Sequence, residues 1–261
     1  MTILVYMVAG MSSRFGGNPK QMAIVGPNNE TLIEYSLNQA LTCKFSKIIF
    51  ITNQKTEKLF IDLFGRNYKN TPVLYIQQRY DENERSRPWG TTDAICSIID
   101  HVDEPIILLN GDDIYGECTF KRGFELMNIK NNNIIGGQKL YKTLPDKGKV
   151  NRGLIFTSEN DVIGLKEMLG ISKEENPELL NQFGNVNFIG LQVNVLLELK
   201  KILDKFKLSN RGDKKIECLL PDNLNELIVK DILKMKYFEI NYNVIGITNP
   251  GDEIIIKNIL K

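Results

Sequence analysis

The first half of the chain alternates between short apolar runs and segments with helical spacing, and this alternation constrains the fold most. Apolar residues that recur every three or four positions indicate amphipathic helices, and continuous apolar runs indicate strands buried on both faces. The strand-like runs are residues 3–8, 47–52, 73–76 and 106–109, and the helical segments are residues 32–41 and 94–102. Such an order favours a mostly parallel sheet with helices on both faces.

The pattern is less regular after about residue 130. We expect a strand from Ile134 towards Tyr141, a charged loop over Lys142–Lys149, a strand over Val186–Val195 and an amphipathic helix over Leu196–Leu208. No repeat and no low-complexity linker divides the sequence. The chain is therefore predicted to form a single domain over residues 1–261.

Charge and composition exclude several classes of function. The 33 Lys and Arg residues nearly balance the 32 Asp and Glu residues, so a nucleic-acid partner is not indicated. His101 is the only histidine, which argues against a Ser/His/Asp triad or a His-rich metal site. The four cysteines form no CxxC pair, and we expect free buried thiols.

The sequence contains no signal for export or membrane insertion. The apolar start lacks a basic leader, and no apolar run reaches the roughly 18 residues that a membrane span needs. We expect a cytoplasmic protein without a membrane partner.

A glycine-rich loop follows the first predicted strand. Residues 8–20 contain three glycines, Ser12 and Ser13, and the cations Arg14 and Lys20. Backbone N–H groups of such a loop can surround a polyphosphate while the cations neutralise its charge. The loop matches neither the dinucleotide nor the P-loop pattern. The three glycines and two cations still predict binding of a nucleotide, and the alternative is a loop that is merely flexible.

Two further segments carry candidate chemistry. Asp112 and Asp113 follow the buried run 106–109, where a carboxylate could bind magnesium; the alternative is a simple turn. The segment 87–94 contains the only tryptophan, a glycine that would let a planar base approach, and Thr91, Thr92 or Asp93 as a helix cap. Its alternative is a plain helix start with a packed Trp.

Together these segments resemble the sugar-phosphate nucleotidyltransferases. The family's A-G-x-x-[ST]-R loop followed by P-K is matched by residues 9–14 and 19–20. A poorly characterised bacterial subgroup carries motifs that are similar to residues 14–17, 26–31, 88–94 and 110–116. The resemblance covers nearly the whole chain.

The resemblance implies a glycosyltransferase-A-type, Rossmann-like α/β fold and a role for each matched residue. Residues 1–130 would form the nucleotide-binding half, and residues 131–261 would form the acceptor-binding half. Arg14 and Lys20 would contact the triphosphate, and Asp112 would bind Mg²⁺, with Asp113 as a candidate second ligand. The implied nucleotide-binding residues are Ala9, Gly10, Ser12, Ser13, Gln77, Gln78, Gly90 and Thr91, and the implied acceptor-binding residues are Gly153, Glu167 and Asn187.

One segment departs from the family pattern. Many relatives supply a second metal-binding aspartate near the C-terminus, but residues 244–250 contain no acidic residue. Phosphates and water, Asp113 or Asn243 could complete the site, and the sequence does not decide between them.

These observations predict transfer of a nucleoside monophosphate from an NTP to a small phosphorylated acceptor, a sugar 1-phosphate first of all. Three alternatives remain: a cytidylyltransferase for a non-sugar phosphate, a metal-dependent glycosyltransferase, and a catalytically silent nucleotide-binding protein. The base, the acceptor and the oligomeric state, including a homo-oligomer, stay open.

Overall fold

A ten-stranded mixed sheet runs through the part of the chain that the computed structural model describes, residues 1–10, 19–144 and 148–261. Its strand order is β3-β4-β2-β1-β5-β10-β7-β11-β9-β8. Of these described strands, β3, β9 and β10 run opposite to the others. The strands are β1 (Ile3–Met7), β2 (Ile48–Thr52), β3 (Asn67–Tyr68), β4 (Thr71–Gln77), β5 (Ile106–Asn110), β6 (Asp113–Ile114), β7 (Ile134–Lys139), β8 (Val150–Ser158), β9 (Asp161–Ile171), β10 (Phe183–Leu191), β11 (Lys236–Glu239) and β12 (Ile245–Gly246).

Helices cover both faces of the sheet. Successive residues of β1 point to opposite faces, so Ile3 and Val5 pack into one core cluster, and Leu4 and Tyr6 pack into the other. All four side chains are fully buried, as expected for a central strand of a parallel sheet. The helices are α1 (Leu32–Ala40), α2 (Glu57–Phe64), α3 (Thr91–Cys96), α4 (Glu117–Met127), α5 (Leu140–Thr143), α6 (Val193–Ser209), α7 (Leu220–Val229) and α8 (Asp252–Ile259).

The order of the strands creates a crevice between β1 and β5. From β1 the chain continues to β2 and β4 on one side, and then crosses to β5 on the other side. Both neighbours of β1 are parallel to it. The connections therefore leave in opposite directions at the carboxyl ends of β1 and β5, where open α/β sheets bind their ligands. Gly10 follows β1 there, and Asp112 follows β5.

Several predicted boundaries are corrected. The strand from Ile134 ends at Lys139, and residues up to Thr143 form α5 instead of continuing towards Tyr141. The strand expected over Val186–Val195 is β10, which ends at Leu191. Helix α6 then begins at Val193, because its buried residues continue the helical spacing of the following segment.

The cap predicted for the helix after Trp89 is wrong. Gly90 is the N-cap of α3, and no side chain caps this end. Thr91 Oγ1 instead accepts a hydrogen bond from Leu220 N at 2.8 Å, and Thr92 Oγ1 accepts one from Asn223 Nδ2 at 2.6 Å. The hydroxyl groups therefore attach α3 to α7.

The cysteines are free, as expected, but not all of them are buried. Cys96 and Cys218 lie in the core, Cys43 is half-buried and Cys118 is exposed, so the prediction of burial is wrong for Cys118. Within residues 1–10, 19–144 and 148–261, no helix combines the length and apolar character needed to cross a membrane.

Candidate active site

A cleft of about 460 Å³ opens at the carboxyl ends of β1, β2 and β4. The predicted nucleotide-binding residues Ala9, Gly10, Gln77 and Gln78 line it. Further lining residues, among those that the structure describes, are Asn53, Gln54, Lys55, Thr56, Arg79, Tyr80, Glu82 and Pro88. The size suits a nucleoside, since small-molecule sites commonly measure about 300–1,000 Å³.

Asn53 orders the wall of this cleft and was not predicted from the sequence. Its Nδ2 donates to the carbonyl oxygen of Ala9 at 2.9 Å, and its Oδ1 accepts from the backbone N–H groups of Lys55 and Thr56. These contacts connect the end of β2 with the start of the glycine-rich loop. The position of Asn53 directly after a buried strand was the feature of the sequence that could have indicated this role.

Lys20 and Asp112 form an ion pair beside the crevice between β1 and β5. The Lys20 ammonium also donates to the carbonyl oxygen of Ile247 at 2.9 Å. The two side chains are 23% and 21% exposed, so both remain accessible to a ligand. The structure thus brings together the predicted triphosphate cation and the predicted metal ligand, although the two are 92 positions apart (112 minus 20).

Asp113 lies deeper than Asp112. Its Oδ2 accepts a hydrogen bond from Asn110 Nδ2 at 3.0 Å, and strand β6 pairs Asp113 with Gly246 of β12. A Cβ atom on Gly246 would lie 1.9 Å from Asp113 Oδ1, so only glycine leaves room for this carboxyl group. Burial and the neighbouring charge of Asp112 raise the pKa of Asp113 to about 7.

Tyr115 connects the Asp112 turn to strand β10, a role that the sequence did not reveal. Its hydroxyl group accepts from Asn110 N at 3.1 Å and donates to the carbonyl oxygen of Asn187 at 3.3 Å. The side chain is fully buried, and burial raises the pKa of Tyr115 well above its usual range. The phenol therefore stays protonated and can serve both bonds.

The predicted acceptor residues lie close together on three neighbouring strands. Gly153 of β8 faces Glu167 of β9, and a Cβ on Gly153 would approach Glu167 Oε2 to 3.3 Å and Asn185 Cβ to 3.4 Å. Asn187 follows at an irregularity of β10 with a φ of 58°, and its N–H donates to Asn185 Oδ1 at 2.8 Å. Asn185 is a further member of this group.

Burial and the nearby charge of Asp222 raise the pKa of Glu167, whereas the positive charge of Arg152 lowers it. A half-buried carboxylate of this kind can accept hydrogen bonds from hydroxyl groups of a ligand. The group Gly153, Glu167, Asn185 and Asn187 is called the acceptor cluster below.

Two predicted nucleotide residues have structural partners. Gly90 has a φ of 102°, and a Cβ there would lie 2.6 Å from the carbonyl oxygen of Cys218. We expected a glycine here so that a planar base could approach the backbone. In the structure the backbone of Cys218 makes this close approach instead, and it explains the glycine. The Thr91 hydroxyl is occupied by Leu220. Arg14, Ser12 and Ser13 lie outside the described residues.

A magnesium ion fits the donors at Asp112 but would need ligands from elsewhere. Among the described residues, no group of three or more His, Cys, Asp or Glu side chains could hold a metal. Asp112 is accessible, whereas both oxygens of Asp113 face other residues. Mg²⁺ commonly uses one or two carboxylates together with phosphate oxygens and water, so a single-carboxylate site suits it.

A family model and a curated relative match the sequence of this chain. The sequence model described as nucleotidyl transferase matches residues 15–167, which is more than half of the chain. UTP–glucose-1-phosphate uridylyltransferase AglF of Haloferax volcanii is 23% identical over 113 residues, or 42% of this chain. The match spans only 43% of that curated relative.

Solved structures show the same fold over almost the full length. A UDP-glucose pyrophosphorylase in complex with UDP-glucose superposes with a TM-score of 0.71 at 15% identity, covering 99% of this chain and 98% of that one. The inositol-1-phosphate CTP transferase of T. maritima superposes with a TM-score of 0.65 at 13% identity, covering 98% and 95%. The fold class predicted from the sequence is confirmed.

Proposed function

This chain belongs to the nucleotidyl transferase family, and from that premise we propose that it transfers a nucleoside monophosphate from an NTP to a phosphorylated acceptor. A sugar 1-phosphate is the proposed acceptor, and pyrophosphate is the proposed second product. The match to a uridylyltransferase acting on glucose 1-phosphate and the fold shared with a UDP-glucose pyrophosphorylase support this choice. A cytoplasmic location is part of the proposal.

The observation that carries the proposal is the position of the Lys20–Asp112 pair. It lies at the carboxyl ends of β1 and β5, and the cleft opens at the carboxyl ends of β1, β2 and β4. Tyr115 connects the Asp112 turn to Asn187 of the acceptor cluster. A reaction between a nucleotide in the cleft and a molecule at the acceptor cluster would therefore occur beside this pair.

The proposed reaction needs no general base. A phosphate oxygen of the acceptor attacks the α-phosphorus of the NTP, and the bond from this phosphorus to the oxygen that bridges to the β-phosphate breaks. The electron pair leaves with pyrophosphate, and a new pyrophosphate linkage joins the nucleotide to the acceptor. The acceptor dianion is already a nucleophile, which suits a chain with one histidine. Catalysis then depends on positioning and on charge neutralisation.

Lys20 and Asp112 have separate tasks in this reaction. In the structure each neutralises the other. With NTP in the cleft, the Lys20 ammonium would move to phosphate oxygens and stabilise the leaving pyrophosphate. Magnesium held by Asp112 would supply further positive charge to the phosphates. Arg14, outside the described residues, is the second proposed phosphate cation.

Release of pyrophosphate from each of the four NTPs, in the presence of a panel of phosphorylated acceptors, tests this proposal. We expect release that requires both an NTP and a sugar 1-phosphate. Release only with a non-sugar phosphate and CTP would favour the alternative cytidylyltransferase, a chemistry found in the T. maritima protein of the same fold. Consumption of an NDP-sugar without pyrophosphate release would favour a glycosyltransferase and contradict the proposal.

A further inference from the structure

Gln78 lines the nucleotide cleft with its amide held in one orientation. Its Nε2 donates to the carbonyl oxygen of Gly90 at 2.9 Å and to Asp93 Oδ2 at 2.8 Å. Both partners can only accept hydrogen bonds, so the nitrogen and oxygen of this amide cannot be exchanged. Both amide hydrogens are used, which leaves Oε1, an acceptor, as the polar atom that Gln78 can offer to a ligand.

Asp93 is held in turn by a lysine from a distant helix. Its side chain is only 8% exposed, and its Oδ1 forms an ion pair with Lys207 in the last turn of α6. The Lys207 ammonium also lies 5.9 Å from the centre of the Trp89 ring. A buried carboxylate needs such a partner, because an unpaired charge in the interior is costly. The pair with Lys207 therefore holds the Asp93 carboxyl group beside Gln78, where its Oδ2 accepts the hydrogen bond.

The surroundings of Gln78 leave little freedom for another arrangement. The Arg85 guanidinium stacks on Trp89 at 3.4 Å and donates to the carbonyl oxygens of Asp213 and Ile216. Gly90 lies directly against Cys218, whose N–H donates to the carbonyl oxygen of Trp89 at 2.6 Å. The segment that carries Gly90 and Asp93 is thus attached to the 213–218 segment at several points.

We propose that Asp93 and Lys207 are positioning residues that fix Gln78 as a hydrogen-bond acceptor towards the nucleobase and thereby set the choice of base. This inference rests on the proposed function. Uracil and guanine carry a ring N–H beside a carbonyl group, whereas cytosine and adenine carry a ring acceptor beside an amino group. A fixed acceptor therefore distinguishes UTP from CTP, and GTP from ATP, by the place of the donor hydrogen. An amide that could rotate would bind either member of each pair.

The test measures dissociation constants of the four NTPs, and KM and kcat, for the wild type and four variants. In the wild type we expect one member of the UTP/CTP or GTP/ATP pair to bind at least about tenfold more tightly. In Asp93→Asn the introduced amide would turn its oxygen to Lys207 and its NH₂ group to Gln78. The introduced NH₂ group would favour Gln78 Oε1, whereas the Gly90 carbonyl oxygen would still favour Nε2. Neither orientation of the Gln78 amide is then fixed, so the ratio should fall below about threefold, with KM for the NTP changing far more than kcat.

Lys207→Met provides a second variant at a half-exposed position, in case Asp93→Asn fails to fold. We expect the base ratio to fall, and Lys207→Arg to restore it. Lys200→Met is the matched control, because Lys200 lies on the same helix but pairs with the exposed Asp204. Its base ratio should equal that of the wild type.

The outcomes separate this inference from the proposed function. If the wild type binds NTPs with a clear preference and Asp93→Asn and Lys207→Met keep it while losing only thermal stability, the positioning role is wrong and the function stands. A wild type that binds NTPs without preference within either pair also overturns the positioning role. A wild type that binds no NTP overturns both.

Discussion

The two sides of the candidate site are built in different ways. On the proposed nucleotide side, Ala9, Gly10, Asn53 and Asp112 all lie just beyond the ends of parallel strands. On the proposed acceptor side, Gly153, Glu167 and Asn185 lie within the long antiparallel strands β8, β9 and β10. The first side uses loops whose position the strand order dictates. The second side depends on register and on irregularities in the strands.

We therefore expect the two sides to have different roles in the reaction. The strand-end side would bind the part of the reaction common to all nucleotidyl transfer, the triphosphate, whereas the antiparallel side would choose the acceptor. Substitutions on the first side should therefore lower the rate with every acceptor. Substitutions on the second should affect one acceptor more than another.

Lys20→Ala and Asp112→Asn should have the largest effect. By analogy with groups that neutralise charge in phosphoryl transfer, each should lower kcat for pyrophosphate release by roughly 10²–10⁴. The decrease should be similar for all acceptors. Lys47→Ala is the control, because Lys47 pairs with the exposed Asp103 away from the crevice. Turnover within a few-fold of wild type in both variants would show that the pair is not catalytic.

Gly246→Ala should disturb the packing of the Asp112–Asp113 turn, and through this turn both sides of the site. The added Cβ would overlap Asp113 Oδ1 and approach the carbonyl oxygen of Asp112 to 2.9 Å. We expect a loss of about 1–3 kcal/mol in the free energy of unfolding, measured by urea denaturation, together with lower activity. Gly164→Ala is the control, since its nearest contact would be an ordinary 3.5 Å. Equal stability of the two variants would contradict the close packing at Gly246.

Glu167→Gln should raise KM for the acceptor about tenfold while leaving KM for the NTP unchanged, because a charge-assisted hydrogen bond contributes roughly 1.5–3 kcal/mol. Steady-state kinetics with each substrate varied in turn measures this. The control is Glu239→Gln on β11, at an exposed position. A change confined to the NTP would place Glu167 on the wrong side of the site.

Tyr115→Phe should have the smallest effect. The Tyr115 side chain connects the two sides of the site. Loss of the hydroxyl group leaves the Asn110 N–H and the Asn187 carbonyl without this partner. We expect a loss of about 1 kcal/mol in stability and a few-fold rise in KM for both substrates. Tyr68→Phe removes a hydrogen bond to Asn38 elsewhere and should affect stability alone. Identical kinetics in the two variants would argue against the connection.

The sequence predicted the parallel part of the sheet because its fully buried strands appear as continuous apolar runs. It also predicted Lys20 and Asp112, because glycine and acidic motifs follow those runs directly. The boundary at Lys139 was missed because apolar residues continue into α5, and a short run does not distinguish strand from helix.

Tyr115 and Asp93 had no sequence signal for their roles. The Tyr115 hydroxyl group forms a hydrogen bond with Asn187, 72 positions away, and Asp93 pairs with Lys207, 114 positions away. Such contacts depend on how strands and helices are arranged in three dimensions. The acceptor residues were assigned by resemblance alone, since register in antiparallel strands is not visible in one sequence.

Labelling of the α-phosphorus shows which group of the NTP reaches the acceptor. The protein is incubated with a sugar 1-phosphate and an NTP labelled either at the α- or at the γ-phosphorus. We expect the α-label in the nucleotide-linked acceptor and the γ-label in pyrophosphate, in equal amounts, and we expect Asp112→Asn to suppress both. Transfer of the γ-label to the acceptor, or release of label without any acceptor, would contradict the proposed reaction.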